Sequence, residues 1–335
     1  MSTQVLLETI KQVAVKGKGI LAADESHKTL GKRFDSIQVD NNSTNRRDYR
    51  EMLFTTSHLN EYISGVILFE ETLTQTSTLD GQTLGQVLSN QGIVPGIKVD
   101  KGLVNLNDAG ETVTQGLDDL AERLESYKKA GAKFAKWRAV YTISECLPSK
   151  VAIHANAHAL ARYAKICQDN GIVPIVEPEV LMDGEHSIER CAEVTEAVLH
   201  EVFHELNINN VLLEGIILKP SMVIAGQDCK RPASVDKVAE YTVKILKRTV
   251  PSAVPTINFL SGGQSAELAT EHLNQMNKLF SNLPWQLSFS YGRALQAPSL
   301  QAWKGQASHV EKAQHLLYKR AKLNGLAGQG KYSGE

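Results

Sequence analysis

Cysteine is scarce in this chain: Cys146, Cys167, Cys191 and Cys229 are the four present among 335 residues, and none forms a C-x-x-C pair. Such spacing argues against a disulfide framework and fits reduced thiols in a cytosolic protein. Charge of one sign is also missing, since 36 basic and 37 acidic residues leave a formal net charge of -1. No field strong enough to hold nucleic acid or an anionic membrane is expected, so neither is expected as a partner. No stretch reaches the apolar length of a membrane span. The opening MSTQVLLETIKQVAVKGKGI lacks the apolar core and small-residue cleavage site of a secretory signal, so a cytoplasmic location is expected. Linkers rich in Pro, Gly or Ser are absent too, which points to one domain over residues 1–335. What remains, 42% hydrophobic and 22% charged, is ordinary globular usage.

Short apolar runs alternate with longer amphipathic segments from one end to the other, the pattern of repeated βα units on a parallel sheet. Eight runs stand out, at 19–25, 63–71, 94–100, 133–141, 173–181, 212–220, 256–262 and 285–293. Near-continuous hydrophobicity is expected where both faces of a parallel strand are covered. Helical patterns lie between them at 116–130, 153–170, 187–206, 235–248 and 264–279, and several stop at Gly or Pro. The pattern predicts an α/β fold, a (β/α)8 TIM barrel of one domain with extra terminal helices. Residues 294–335 are expected to form a C-terminal helical segment and a short tail.

Each run ends on a polar or charged residue: Asp24, Glu70, Lys98, Lys136, Glu177, Lys219, Ser261 and Arg293. In a barrel the C-terminal ends of all strands meet at one mouth, where such enzymes keep their active sites. The two-residue strand period also turns Glu179 with Glu177, Arg138 with Lys136, and Asp100 with Lys98. Lys and Glu are rarely buried unless paired, so these charges form either a structural ion ring or a catalytic site. Eight such residues at corresponding positions favour the site. Abundant lysine and carboxylate without a cluster of metal ligands suggests carbonyl chemistry through an imine, with no metal and no cofactor. A lysine attacks a carbonyl only as the free amine, and a partly desolvated mouth holding Lys219 near Lys136 is the arrangement that frees it. Gly-containing turns at Ser261-Gly262-Gly263 and Tyr291-Gly292-Arg293, after the last two strands, offer backbone amides and a guanidinium to a phosphate.

Taken together, GKGILAADES, GVILFEETL, GIKVDKG, FAKWR, NGIVPIVEPE, LKPSM, FLSGGQS and FSYGRALQA resemble the class I fructose-bisphosphate aldolases, in that family's order and across nearly the whole chain. The resemblance implies reversible cleavage of fructose 1,6-bisphosphate to dihydroxyacetone phosphate and glyceraldehyde 3-phosphate, a step of glycolysis and gluconeogenesis, by a metal-independent homotetramer. It implies that Lys219 is the Schiff-base lysine, Glu177 the proton shuttle, Glu179 a positioning group and Asp24 the acceptor of the C4 hydroxyl proton. Lys136 and Arg138 match groups that stabilise charged intermediates, and Lys98 a ligand of the sugar-phosphate chain. Ser261, Gly262, Gly292 and Arg293 match the C1-side phosphate site, and Ser26 the far one.

Two departures from the animal members are visible. Those continue past the segment matching Gly330 to Tyr332 into a tail with a terminal tyrosine that assists proton exchange, whereas this chain stops at Glu335, so the resemblance names no C3 proton carrier. After Ser26 the chain has His27-Lys28-Thr29, and Lys28 is expected to strengthen the far phosphate site. His200-Glu201-Val202-Phe203-His204 satisfies the HExxH zinc pattern. It is expected on the barrel's outside with no third ligand, so it is read as two exposed histidines, as are His154 and His158 at the same spacing. Rival activities are another imine-forming barrel aldolase or a transaldolase, a metal-dependent lyase, and a binding or scaffolding role.

Overall fold

The eight apolar runs close into one parallel barrel. In the computed structural model, which describes residues 3–335, β1 (Gly19–Ala23), β2 (Ile63–Leu68) and β3 (Val94–Lys98) are followed by a short antiparallel hairpin, β4 (Leu103–Asn105) with β5 (Thr112–Thr114). Next come β6 (Phe134–Tyr141), β7 (Val173–Val180), β8 (Ile217–Leu218), β9 (Thr256–Phe259) and β10 (Gln286–Tyr291). The barrel order is β1-β10-β9-β8-β7-β6-β3-β2, and the hairpin stands outside it.

Helices wrap this sheet. Before β2 lie α1 (Thr3–Val13), α2 (His27–Asp35) and α3 (Ser43–Phe54); α4 (Glu70–Thr74) and α5 (Leu84–Asn90) precede β3. The outer ring continues with α6 (Leu120–Lys129), α7 (Lys150–Asp169), α8 (Ile188–Ile208), α9 (Val235–Thr249) and α10 (Ala266–Leu279). The tail forms α11 (Arg293–Trp303) and α12 (Val310–Ala327).

Caps account for most shifts from the expected boundaries. Ser149, Ser187 and Ser265 each accept the backbone N–H three residues on, so α7, α8 and α10 start where those hydroxyls satisfy free amides. By contrast α6 begins later than 116, because Gly116 and Asp119 have positive φ. The sixth run shrinks most: within 212–220 only two residues are strand, preceded by a 3₁₀ turn over Leu213–Gly215. Lys219 still donates its N–H to the Val176 carbonyl at 2.8 Å, which extends the β7 ladder to that residue.

Alternation sorts each strand into an inner and an outer row. On β6, Ala135, Trp137 and Ala139 join the large core between sheet and helices, where Trp137 stacks on Tyr163 of α7. Phe134 joins Ile20, Ile67, Ile175 and Ile217 in a second cluster, closed by Leu6, Ile10 and Val13 of α1. That cluster plugs the N-terminal end of the barrel. The Phe134 ring needs the room left at Gly96, where a Cβ would fall 2.2 Å from it.

Candidate active site

Above the apolar plug, the same inward rows turn charged. Lys136 sits two residues past Phe134, and Glu177 two past Ile175, so one step of the strand period carries each strand from core into mouth. They open into a cavity of about 600 Å³ lined by all eight run-end residues, Asp24, Glu70, Lys98, Lys136, Glu177, Lys219, Ser261 and Arg293. Ser26, Arg138, Glu179, Gly262 and Gly292 line it too, so every predicted site residue reaches one space. Glu70 gets there differently from expected: it opens α4 instead of ending β2, and pairs with Lys101 at 2.9 Å on the half-exposed rim.

Two lysines occupy the floor under different electrostatics. Lys136 Nζ lies 2.8 Å from Asp24 Oδ2, 3.5 Å from Glu177 Oε2 and 3.7 Å from Asp100 Oδ2. Burial works to lower its pKa, but Asp24, Glu177 and Asp100 outweigh that and hold Lys136 well above the ordinary lysine range. The reciprocal effect appears at Asp24: burial raises it, while Lys136 and Lys219 together pull it well below the usual carboxylate range. Among the described residues Lys219 makes one ion pair, to Glu177 Oε1 at 3.0 Å. Glu177 therefore bridges the two ammonium groups, and its buried Oε2 has no hydrogen-bond partner among the described residues. Next to this floor, Lys98 pairs with Asp100 at 2.6 Å and Arg138 with Glu179. Burial opposes the Arg138 charge, but Glu179 holds that guanidinium above its usual value.

Groups chemically suited to an anion stand at two edges of the cavity. At one, Gly262 and Gly263 adopt positive φ, and a Cβ on Gly263 would fall 2.8 Å from the Met182 sulfur and 3.4 Å from Arg293 Nη2. Glycine is thus needed twice for the turn that carries its amides past Arg293. The other edge holds Ser26, the N-cap of α2, with Thr29 and Arg33. Lys28, expected to add positive charge here, is exposed and does not line the cavity; Arg33 does. His27 packs edge-on against Phe69 and pairs with Glu71 at 3.2 Å, also outside the cavity lining.

Sequence reasoning missed the frame behind Asp24. Glu25, buried, receives Arg33 at 2.5 Å and Arg50 at 2.8 Å, and Gln296 donates to it at 2.8 Å while also donating to the Ala22 carbonyl at 2.6 Å. Burial acts to raise the Glu25 carboxyl, and Arg33 and Arg50 overcome it and lower it. A charge inside the 19–25 run was the available signal; its partners lie on α2, α3 and α11, where arginine and glutamine are unexceptional. The hairpin after β3, which brings Lys101, Gly102 and Leu103 to the rim, was likewise not anticipated.

The HExxH segment lies on α8, with His200 and His204 both exposed. Its glutamate turns away from them toward α7, where Glu201 Oε1 meets His154 Nδ1 at 2.7 Å. His154 and His158 are thus exposed as expected but not unpartnered.

Comparison with known proteins agrees with this geometry. The family model described as "Glycolytic: Fructose-bisphosphate aldolase class-I" matches residues 5–335. A "Probable fructose-bisphosphate aldolase class 1" of Xanthomonas campestris pv. campestris is 55% identical over 100% of both chains. The "Fructose-bisphosphate aldolase 5, cytosolic" of Arabidopsis thaliana is 56% identical, covering 98% of this chain and 92% of its own. Among solved structures, fructose-bisphosphate aldolase from Plasmodium falciparum, in a complex with TRAP and a small-molecule inhibitor, superposes with a TM-score of 0.97 at 52% identity, covering 100% of this chain and 98% of that one. With matches of that extent added to a lysine–carboxylate barrel mouth, the chain belongs to the class I fructose-bisphosphate aldolase family.

Proposed function

We propose that this protein catalyses the reversible aldol cleavage of fructose 1,6-bisphosphate to dihydroxyacetone phosphate and glyceraldehyde 3-phosphate through an imine on Lys219. The observation that carries the assignment is the unequal pairing of the two floor lysines. Lys136, gripped by three carboxylates, is a fixed cation; Lys219, ion-paired among the described residues with Glu177 alone, is the amine that can be released to attack.

In this reading Glu177 takes a proton from the Lys219 ammonium 3.0 Å away, the freed amine adds to the C2 carbonyl, and Glu177 returns the proton to the departing hydroxyl so that water leaves and a protonated imine remains. Glu177 Oε2, which accepts no hydrogen bond among the described residues and lies 3.5 Å from Lys136 Nζ, is an acceptor suited to that exchange. Asp24, held anionic, takes the proton from the C4 hydroxyl as the C3–C4 electron pair moves into the imine; the aldehyde leaves and an enamine stays on Lys219. Protonation at C3 and hydrolysis free the ketone and restore the amine. Lys136 and Arg138 offset developing negative charge, and Glu179 orients Arg138. Lys98 binds the sugar-phosphate chain. One phosphate rests on Ser261, Gly262, Gly292 and Arg293, the other by Ser26. Anchoring both ends spends remote binding energy on alignment of the reacting carbons.

Two anion-binding edges favour a two-phosphate ketose over the single-phosphate substrate of a transaldolase-like rival. The same proposal takes the protein to be a cytoplasmic homotetramer acting in glycolysis and gluconeogenesis, supported by the cytosolic label of its plant relative and by the family resemblance. Among the described residues, no helix is long and apolar enough to cross a membrane. Borohydride trapping with the ketose bisphosphate tests the chemistry. Label on the peptide bearing Lys219 is expected; label elsewhere, or activity abolished by a chelator, overturns it.

A further inference from the structure

Away from the mouth, on the outer face of the barrel, two i, i+4 pairs stand opposite each other across neighbouring helices. His154 and His158 lie on α7, Glu201 and Glu205 on α8. Spacing of four residues puts each pair on one helix face, and the two faces are in register. His154 Nδ1 is 2.7 Å from Glu201 Oε1 and 3.5 Å from Glu205 Oε1, and His158 Nδ1 is 2.9 Å from Glu205 Oε2. The imidazoles stack with centroids 6.2 Å apart, and both turn Nδ1 toward Glu205.

We propose that His154, His158, Glu201 and Glu205 form a binding site for a divalent transition-metal ion of the zinc class, separate from the catalytic mouth. Donor atoms of His154, Glu201 and Glu205 lie within 4.8 Å of one another, and His158 joins them through its 2.9 Å contact with Glu205. Tetrahedral zinc, with bonds of about 2.0–2.2 Å, holds its ligand atoms roughly 3.3–3.5 Å apart. The observed 2.7–3.5 Å separations reach that by small rotations, since the His154 and His158 side chains are 63% and 48% exposed and have room to adjust. Glu205 supplies an independent reason: its side chain is 5% exposed, and it faces the imidazoles with Asn209 as its other polar partner. A carboxylate so withdrawn from water needs positive charge, and two neutral imidazoles supply none unless they bind a proton or a metal. Two nitrogens and two carboxylates select a zinc-class ion over magnesium or calcium, which take predominantly oxygen ligands in larger number.

Titration of Zn(II) into metal-free full-length protein, followed by calorimetry and by the visible spectrum of the Co(II) form, tests this site. One ion per chain at this location is expected, with a tetrahedral Co(II) spectrum and a raised unfolding temperature. Removing even an outer-sphere partner of a metal typically costs roughly 10–100-fold in affinity. The His154→Ala/His158→Ala variant should therefore bind at least about 100-fold more weakly. Both lie on the exposed face, so folding is checked by unchanged aldol cleavage, which should not respond to zinc loading. His200→Ala/His204→Ala should bind as the parent does. No uptake by the parent, equal uptake after loss of His154 and His158, or loss of uptake with His200 and His204 overturns the proposal.

Discussion

The two ends of this barrel are built from the same strands and have opposite chemistry. At the N-terminal end Phe134, Ile175 and Ile217 meet the α1 side chains in an apolar plug. One period further along the same strands, Lys136, Glu177 and Lys219 meet in a charged cavity. Burial at the first end stabilises by removing apolar surface from water, while burial at the second is unfavourable for each charge and tolerable only through pairing. Stability and chemistry are thereby separated along one axis by a few ångströms.

The separation is open to direct attack, and on one free-energy scale the largest effect belongs to the mouth. Lys219→Ala should reduce kcat/KM by at least ~10⁴-fold, about 5.5 kcal/mol of transition-state stabilisation, and abolish borohydride trapping while leaving the fold intact. Glu177→Gln should cost ~10²–10⁴-fold in kcat, with imine formation measured by single-turnover trapping slowed in proportion. At the other end the prediction inverts. Phe134→Ala should lower unfolding free energy by ~3–5 kcal/mol in urea titration, with kcat per folded molecule within a few-fold of the parent. A large loss of kcat there would mean the two ends are coupled.

A pH experiment sharpens the comparison from behind the mouth. Burial pulls the imidazole of His272 down to about 4, and its Nδ1 contacts Gln264 Oε1 at 2.6 Å, the residue whose amide donates to the Ser261 carbonyl at 3.1 Å. Because the folded value is depressed, the unfolded chain binds the proton first. The stability this contributes is complete above the ordinary histidine value and is lost as pH falls toward about 4. The loss is on the order of 3 kcal/mol. His272→Gln should flatten that window in pH-dependent denaturation. The smallest effect is expected at Gly96→Ala, where crowding of the Phe134 ring should cost ~1–3 kcal/mol of stability with little change in KM.

Parts of this molecule were legible before folding because they violate the local rule around them. A lysine or glutamate inside an apolar strand, as at Lys136, Glu177 and Lys219, has no reason to be there unless something at the barrel mouth uses it. Glu25, Arg33 and Arg50 were not legible as a unit. A charged residue on a helix is commonplace, and only the tertiary fold, which brings Arg33 of α2 and Arg50 of α3 to Glu25 just past β1, makes those three meet. The outer cluster failed to show for a related reason. HExxH pointed to His200 and His204, but the rotation of α8 aims Glu201 at α7 instead.

By itself the sequence determined the alternation of strands and helices, the inward rows and the identity of the charges that end them, since these follow from local period and from the rarity of buried charge. Tertiary structure alone decided which charges pair. Among the described residues Lys136 has three carboxylates within ion-pair distance and Lys219 one, because barrel closure sets distances between residues far apart in the chain, and Coulomb energy depends on those distances rather than on order along the backbone.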